Sequence, residues 1–404
     1  MATYKEQNKL NVPHLRFPEF EGEWEKCKLG DIATGFDYGM NAPAKVFDGV
    51  NKYIRITDID EASSTYNDSD IVSPDGTLTD TYLVNERDIL LARTGASTGK
   101  SYLYKKTDGK LYFAGFLIRA NVPEHNPYFV FSQLHTHRYW KWVSIMSARS
   151  GQPGINSQEY SSFPIYTTSI QEERKISKLL SLLEERIATQ SKLIEKLESL
   201  IKGIMVELQK QGVNKGTWKK VFLSDVLTER NERNINLFQV FSVSVSQGVV
   251  NQVDYLGRSF AAKDTSKYNV VHYGDLVYTK SPTGSFPYGI VKQSLNLENV
   301  AVSPLYGVYK PKSLAVGAYL HEYFMSEINT HNYLHPLIQK GAKNTINITN
   351  QRFLENCVLL PTNINELLQI SKLLRSLNNK IKYQQDILQQ YQKQKQYLLR
   401  QMFI

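Results

Sequence analysis

The pentapeptide ISKLL occurs at Ile176–Leu180 and again at Ile370–Leu374, 194 residues further along the chain. The same offset relates WEKCKLGDI, which begins at Trp24, to WKKVFLSDV, which begins at Trp218. A period this long indicates a duplicated domain, because the repeats of a solenoid are only about 20–45 residues long. The chain has 404 residues, which is long enough for two such domains.

Weaker matches inside the two halves follow in the same order, with insertions that differ in the middle. NERDILLARTG resembles HYGDLVYTKSPTG, which pairs Asp88 with Asp275 and Arg93 with Lys280. GINSQEYSSFPI near the end of the first half resembles INITNQRFLENCVLLP in the second. Each half begins with short β-type runs separated by turn signals. A short helical piece follows, YFVFSQLHTHRYWKWV in one half and GAYLHEYFMSEINTHNYL in the other, and then a long helix begins at ISKLL.

The two long helices share a heptad pattern, in which apolar residues recur at alternating steps of four and three. This spacing predicts a coiled-coil seam. Lys395 is the one departure from the pattern in the C-terminal copy. The predicted seam comprises Ile176, Leu180, Leu183, Ile187, Gln190, Ile194 and Leu197 in the central helix, and Ile370, Leu374, Leu377, Ile381, Gln384 and Leu388 in the C-terminal helix.

The relative direction of the two helices is not fixed by the chain, because a complete globular segment connects them. We favour an antiparallel pair, since two similar halves are then related by a pseudo-twofold axis. Full overlap would bring Gln190 against Leu388 and Gln384 against Ile194. A buried Gln in a seam costs stability but fixes the register. The alternative is that both Gln side chains reach solvent at the edge of the seam.

The formal net charge of +9 favours a polyanionic partner, because lysine and arginine that neutralise phosphates release counterions. The 25 tyrosines could contribute hydroxyl contacts to phosphate, although most are expected in strands. Two cysteines imply no disulfide framework, so a reducing, cytoplasmic compartment is expected. The sequence contains no apolar run of the roughly 20 residues that span a membrane, and its first residues lack the apolar core of a secretory signal.

Four motifs suggest catalytic or metal chemistry, and each fails on spacing or context. RTGASTGKS has three residues between Gly95 and Gly99, whereas a phosphate-binding P-loop needs four and must open a helix. NPYF lacks a proline of the adenine-methyltransferase signature and is better interpreted as a helix start. Two pairs of histidines could each supply two zinc ligands, but neither pair has a third ligand nearby. SPDG and ERK resemble the two parts of a nuclease signature, but they lie too far apart in the sequence to form one. The sequence therefore predicts no catalytic, cofactor-binding or metal residues.

The remaining candidates for contact with double-stranded DNA are polar and basic residues in glycine-containing loops. Lys and Arg position phosphates, while Asn and Gln can pair with adenine. These segments could instead simply lead the chain back to the long helix. The candidates are Arg93, Thr94, Ser97, Lys100, Arg149, Ser150, Gln152 and Asn156 in the first half, and Lys280, Thr283, Lys340, Lys343, Asn344 and Asn347 in the second.

With these features together, the chain resembles the specificity (S) subunits of type I restriction–modification systems. The resemblance rests on LRFPEFEGEWEKCKLGDI, RDILLARTGASTGKS, GDLVYTK and the duplicated long helices. It implies an α+β fold in which two pseudo-symmetric α/β target recognition domains are separated by an antiparallel coiled coil. The domains implied are residues 1–168 and 213–363, and the helical spacers are residues 169–212 and 364–404.

The resemblance also implies a function. Each recognition domain would read one half of a bipartite DNA target, and the helices would set the unread gap between the halves. The chain would have no activity of its own. It would bind two methyltransferase subunits, which methylate adenine using S-adenosylmethionine, and motor-nuclease restriction subunits. Two alternatives are an enzyme with its own methyltransferase or endonuclease activity, and a coiled-coil scaffold that binds only protein.

Overall fold

The chain contains two compact units, which a computed structural model describes over residues 11–148, 153–340 and 346–404. Unit 1 comprises Met1–Gln190 with Ile387–Ile404, and unit 2 comprises Ser191–Asp386. Both units mix helices with short strands, and two long helices run from one unit into the other. The predicted α+β class with duplicated domains and paired long helices is confirmed.

Unit 1 is built around a four-stranded antiparallel sheet in the order β2-β9-β6-β7. Its strands are β1 (Glu25–Lys28), β2 (Thr34–Tyr38), β3 (Ala44–Val46), β4 (Lys52–Ile54), β5 (Val72–Pro74), β6 (Asp88–Ala92), β7 (Ser101–Leu103), β8 (Leu111–Phe113), β9 (Leu117–Asn121) and β10 (Pro164–Thr167). Its helices are α1 (Leu29–Ile32), α2 (Pro127–Gln133), α3 (His137–Ser147), α4 (Ser157–Ser161), the first part of α5 (Ile170–Asn214) and the last part of α11 (Ile364–Gln401).

Unit 2 is built around a four-stranded antiparallel sheet in the order β12-β19-β16-β17. Its strands are β11 (Trp218–Phe222), β12 (Leu227–Glu229), β13 (Phe241–Ser244), β14 (Gly248–Asn251), β15 (Asn269–Val271), β16 (Leu276–Tyr278), β17 (Val291–Gln293), β18 (Val300–Val302), β19 (Gly307–Pro311), β20 (Gln339–Lys340), β21 (Ile346–Asn347) and β22 (Cys357–Pro361). Its helices are the last part of α5, α6 (Leu223–Val226), α7 (Gln252–Leu256), α8 (Leu314–Tyr323), α9 (Glu327–Leu334), α10 (Asn350–Phe353) and the first part of α11 (Ile364–Gln401).

The two sheets have equivalent strand orders, and the motifs that pair in sequence occupy equivalent places. Asp88 begins β6 and accepts a 2.8 Å hydrogen bond from the Asn85 amide. Asp275 directly precedes β16 and accepts a 2.8 Å hydrogen bond from the His272 amide. Both aspartates are buried. Each therefore closes the turn that leads into the central strand of its sheet.

Strand β6 is buried on both faces. Ile89 and Leu91 pack into one cluster with α2 and α3, while Leu90 and Ala92 pack into another on the opposite side. This alternation follows from the two-residue period of a strand. The loop that follows β6 is thus attached to a strand whose residues are all buried.

Both long helices begin six residues before ISKLL, at Ile170 and Ile364. The prediction that they begin at the pentapeptide was wrong. A polar residue precedes each helix: the Ser169 hydroxyl accepts from the Glu172 amide at 3.4 Å, and the Asn363 side chain accepts from the Asn365 amide at 2.8 Å. In α5 the residues between Ile170 and the pentapeptide are all polar, so an apolar heptad pattern does not detect this start.

Within unit 1 the helices α5 and α11 pack antiparallel. Leu180 of α5 shares a buried cluster with Leu399 of α11, and Glu184, one turn later in α5, pairs with Lys395, one turn earlier in α11. The antiparallel direction favoured from the sequence is confirmed here. Gln190 lies six residues after Glu184 in α5, and its side chain is half-buried. Its expected pairing with Leu388 stays a prediction.

The predicted seam residues are all buried or half-buried in the folded chain. In α5 the buried members include Ile176, Leu180 and Ile194, and in α11 they include Ile370 and Leu374. The 3.5-residue average spacing of the pattern places these side chains along one stripe of each helix. The stripe accounts for the repeated pentapeptide, which contributes two seam residues in each copy.

The short helical piece predicted before each long helix is two helices in each unit. α2 ends before Thr136, whose hydroxyl accepts from the Tyr139 amide at 3.4 Å and caps α3. Ser326 caps α9 in the same way by accepting from the Asn329 amide at 3.3 Å. Hydroxyl side chains favour helix starts over helix interiors, which explains why the segment breaks at both places.

Candidate nucleic-acid interface

The loop after β6 is held at both ends by backbone hydrogen bonds. The Arg93 amide donates to the Phe116 carbonyl at 3.0 Å, and its carbonyl accepts from the Ile155 amide at 2.9 Å. Gly95 has a left-handed φ of 68° and donates to the Pro153 carbonyl at 3.0 Å. The loop therefore lies against the segment that leads into α4.

Two buried tyrosines fix the far end of this loop. The Tyr160 hydroxyl donates to the Ala92 carbonyl at 2.6 Å and accepts from the Gly99 amide at 3.1 Å. The Tyr139 hydroxyl donates to the Gly99 carbonyl at 2.8 Å. Gly99 has a φ of 93°, and a Cβ there would lie 2.8 Å from Val143. The position therefore requires glycine, and the loop is rigidly attached to the core.

The P-loop-like sequence at this place adopts no phosphate-binding helix start. Gly95–Ser97 form one short 3-10 turn, and strand β7 follows at Ser101. Likewise, NPYF opens α2, with Asn126 accepting from two backbone amides as its N-cap and Pro127 in the first turn. The interpretation of NPYF as a helix start is confirmed.

An open concavity of about 430 Å³ lies beside the loop in unit 1. The guanidinium carbon of Arg93 is 4.8 Å from the centre of the Tyr38 ring. Tyr38 ends β2, is 41% exposed, and its oxygen accepts from the Ser157 amide at 3.2 Å. The residues that line the concavity are Tyr38, Arg93, Thr94, Met146, Gly154, Ile155, Asn156 and Glu159.

Of the residues predicted for DNA contact in the first half, three meet in this concavity: Arg93, Thr94 and Asn156. Asn156 is also the N-cap of α4, because its side-chain oxygen accepts from the Glu159 amide at 2.9 Å. Ser97 lies in the 3-10 turn and does not line the concavity. Lys100 pairs with Glu61 at 3.1 Å.

In unit 2, Lys280 takes the place that Arg93 holds in unit 1. It lies two residues after β16, has a φ of 61°, and is half-buried. Burial lowers the pKa of Lys280, while the nearby Glu229 carboxylate acts in the opposite direction. A Cβ on Gly289 would lie 2.8 Å from the Lys280 amide nitrogen, so the two segments pack backbone against backbone. Because this ammonium is half-buried, it is less hydrated than that of a surface lysine, and its charged form is less favoured.

Thr283, the other candidate in this loop, donates its hydroxyl to the Ser281 carbonyl at 3.0 Å. Lys340 and Asn347 lie in the paired strands β20 and β21, and their side chains fall outside the described part of the chain. The other candidates lie outside the described residues altogether: Arg149, Ser150, Gln152, Lys343 and Asn344. The assignment of all these residues to DNA contact stays a prediction.

Sequence reasoning missed Tyr38, Met146 and Glu159 as neighbours of Arg93. Tyr38 is 55 residues from Arg93 in the chain, and a tyrosine at a strand end carries no signal that it faces an open concavity. Contacts of this kind, between elements that are distant in the chain, are set by tertiary packing alone. The capping-box pattern NSQE at Asn156–Glu159 was a usable signal for the cap.

The described ranges contain no cluster of three or more His, Cys, Asp or Glu residues that could hold a metal ion. His331 and His335 stack ring against ring with centroids 5.1 Å apart, and Tyr288 packs against both. Across the same ranges, no helix has both the length and the apolarity that crossing a bilayer requires.

Residues 21–199 match the family model described as "Type I restriction modification DNA specificity domain". These residues are therefore similar to a type I DNA specificity domain. The family resemblance inferred from the sequence is thereby confirmed. The matched segment includes the loop at Arg93, the concavity and the first part of α5.

Two known proteins extend the comparison. The chain is 27% identical over 218 residues to the type I restriction enzyme MjaVIII specificity subunit of Methanocaldococcus jannaschii, a match that covers 53% of this chain and 47% of that protein. The chain thus spans about half the length of this curated relative. The crystal structure of a type I restriction-modification S subunit from M. genitalium matches over 97% of this chain and 99% of its own, with a TM-score of 0.64 and 12% identity. That likeness shows that the fold is shared.

Proposed function

We propose that the chain is the DNA-binding specificity subunit of a type I restriction–modification complex. Each unit would read one half of a bipartite target in double-stranded DNA. The observation that carries this proposal is the repeated arrangement of sheet and loop: in each unit a basic residue, Arg93 or Lys280, follows the central strand of an equivalent four-stranded sheet. The match of residues 21–199 to a DNA specificity domain supports the same function.

We assign the recognition domains to residues 1–168 and 213–363, and the spacer helices to residues 169–212 and 364–404. The net charge of +9 supports a polyanionic ligand, since counterion release drives such binding. The partners would be two methyltransferase subunits and motor-nuclease subunits in the cytoplasm. The chain would supply recognition, and the methyltransferase would supply the reaction on adenine.

Two kinds of measurement test this proposal. The first incubates the purified chain with labelled S-adenosylmethionine and duplex DNA, alone and with its methyltransferase subunit. We expect methyl transfer to adenine only when the methyltransferase is present. Transfer by the chain alone would instead establish an enzyme.

The second measurement is filter binding of the same preparations to duplex DNA at several salt concentrations. We expect binding that weakens as salt rises, because phosphate contacts release counterions. A chain that binds the methyltransferase but contributes nothing to DNA binding would be a protein-only scaffold, and the proposed function would be wrong.

A further inference from the structure

Arg93 differs from three other arginines of its unit in what its guanidinium contacts. Arg16, Arg55 and Arg119 pair with the carboxylates of Glu172, Asp58 and Asp37, respectively, at 2.8–2.9 Å. Among the described residues, the Arg93 guanidinium makes no ion pair and no hydrogen bond to protein. It lines the open concavity instead. An arginine placed in this way keeps its five donors available for a ligand.

Tyr38 holds this unpaired guanidinium in place. The planar group lies 4.8 Å from the ring centre, a distance within the range of a cation–π contact. The Arg93 backbone is fixed on both sides by hydrogen bonds to Phe116 and Ile155. Stacking and backbone anchoring both reduce the rotamer entropy that binding would otherwise cost. The fork of donors is therefore oriented before a ligand arrives.

Tyr38 presents a further donor. Its oxygen accepts from the Ser157 amide at 3.2 Å, and the Ser157 side chain also hydrogen-bonds to it. The hydrogen bond to the Ser157 side chain, together with the amide hydrogen bond and the Arg93 charge, outweighs burial and holds the pKa of Tyr38 below its usual value, which makes the hydroxyl a better donor. The concavity thus offers a bidentate cation and a neutral donor side by side.

Glu159 lines the same concavity, and its carboxylate accepts from the Asn156 amide at 2.8 Å. A phosphate seated beside Arg93 would face this negative charge. An uncharged base edge would not be repelled by the Glu159 carboxylate. The carboxylate could also accept a hydrogen bond from an amino group of a base. The charge distribution therefore favours a base edge over a phosphate as the ligand of Arg93.

We propose that Arg93, held against Tyr38, is a base-reading residue that recognises a guanine in the half-site of unit 1. In the major groove, guanine presents two acceptors, N7 and O6, and the arginine fork matches them with two parallel hydrogen bonds. This inference rests on the proposed function, because it names the base and the residue through which unit 1 reads DNA.

The test uses Arg93→Lys in the full chain, assembled with its methyltransferase subunit. The complex is selected against a duplex library with randomised positions, and the bound sequences are compared with those of the wild type. Lysine keeps the charge but loses the bidentate fork. We expect the preference for one G·C pair in one half-site to fall about 10- to 100-fold, while the slope of affinity against salt stays unchanged.

Three further variants separate the components of the contact. Arg93→Ala should reduce the base preference at the same position of the half-site and also weaken binding overall. Tyr38→Phe keeps the stacking ring and loses the hydroxyl, so it should relax the same position to a smaller degree. Arg119→Lys is the matched control: Arg119 also stacks on an aromatic ring, that of Phe113 at 5.2 Å, but it is already paired with Asp37. It should leave the selected sequence unchanged.

The half-site read by unit 2 is the internal control for folding, since it should persist in every variant. The inference is overturned if Arg93→Lys selects the wild-type sequence. It is also overturned if Arg93→Ala weakens all sequences equally and lowers the salt slope by about one, which is the signature of a phosphate contact. A wild-type complex that selects no split sequence at all would instead refute the proposed function.

Discussion

Lys395, the residue that interrupts the apolar seam of α11, forms an ion pair with Glu184 of α5. The other carboxylate oxygen of Glu184 accepts a 2.7 Å hydrogen bond from the Tyr128 hydroxyl on α2. Burial by itself would raise the pKa of Glu184, but Lys395 and Tyr128 together hold it below its usual value. The pair thus joins both long helices to the globular part of unit 1 at one place.

Replacing Lys395 with Met should destabilise unit 1 by about 2–3 kcal/mol, because Glu184 would be left as a largely buried, uncompensated charge. The double variant with Glu184→Gln should recover most of this loss, since Gln is neutral and still accepts from Tyr128. Urea unfolding followed by circular dichroism measures both. Exposed Glu185→Gln is the control and should change stability by less than about 0.5 kcal/mol. A double variant as unstable as the single one would show that the charge pair is not what matters.

Acid should weaken the attachment of α2 through His135. Burial, and to a smaller extent the Lys395 charge, lowers the pKa of His135 to about 4. The unfolded chain would bind this proton near pH 6.5, so the stabilising contribution is present above that pH and is lost as pH falls towards 4. The loss is at most about 3 kcal/mol.

His135→Asn removes the titrating group. The difference in unfolding free energy between the wild type and this variant should therefore narrow as pH is lowered from 7.5 to 5. A difference that stays constant over this range would contradict a depressed pKa at this site.

The long helices are expected to set the gap between the half-sites. Seven residues inserted beside Gln190 keep the apolar stripe in phase and lengthen α5 by about 10 Å. B-DNA rises about 3.4 Å per base pair, so the gap should grow by one to three pairs while the bases read on each side stay the same. Mapping of N6-methyladenine measures the gap.

An insertion of two residues at the same place is the control for this experiment. It rotates the stripe out of phase, so we expect impaired folding or assembly. An active heptad variant with the original gap would show that the helices do not set the spacing.

Much of the fold could be predicted because the duplication repeats local signals. Asp88 and Asp275, read as a matched pair in sequence, hold equivalent turns, and ISKLL does mark two equivalent helices. The heptad spacing placed residues such as Ile176 and Ile370 on buried stripes. Period and turn chemistry are properties of neighbouring residues, so the sequence displays them directly.

The site could be predicted only in part, because its geometry depends on residues far apart in the chain. Arg93 was a candidate, but its stacking on Tyr38 was not foreseen. Similarly, Arg16 neutralises the fully buried Glu172, 156 residues away, at 2.8 Å. Such pairs are created by packing of complete elements, and neither partner has a local pattern that identifies the other.

The most direct test of the account is to replace residues 24–168 with the matching segment of a relative that has a different target, and to map N6-methyladenine in cells that carry the chimera and its methyltransferase. The account predicts that one half-site changes to that of the relative, while the other half-site and the gap persist. A chimera that changed both half-sites, or neither, would contradict the claim that each unit reads its own half of the target.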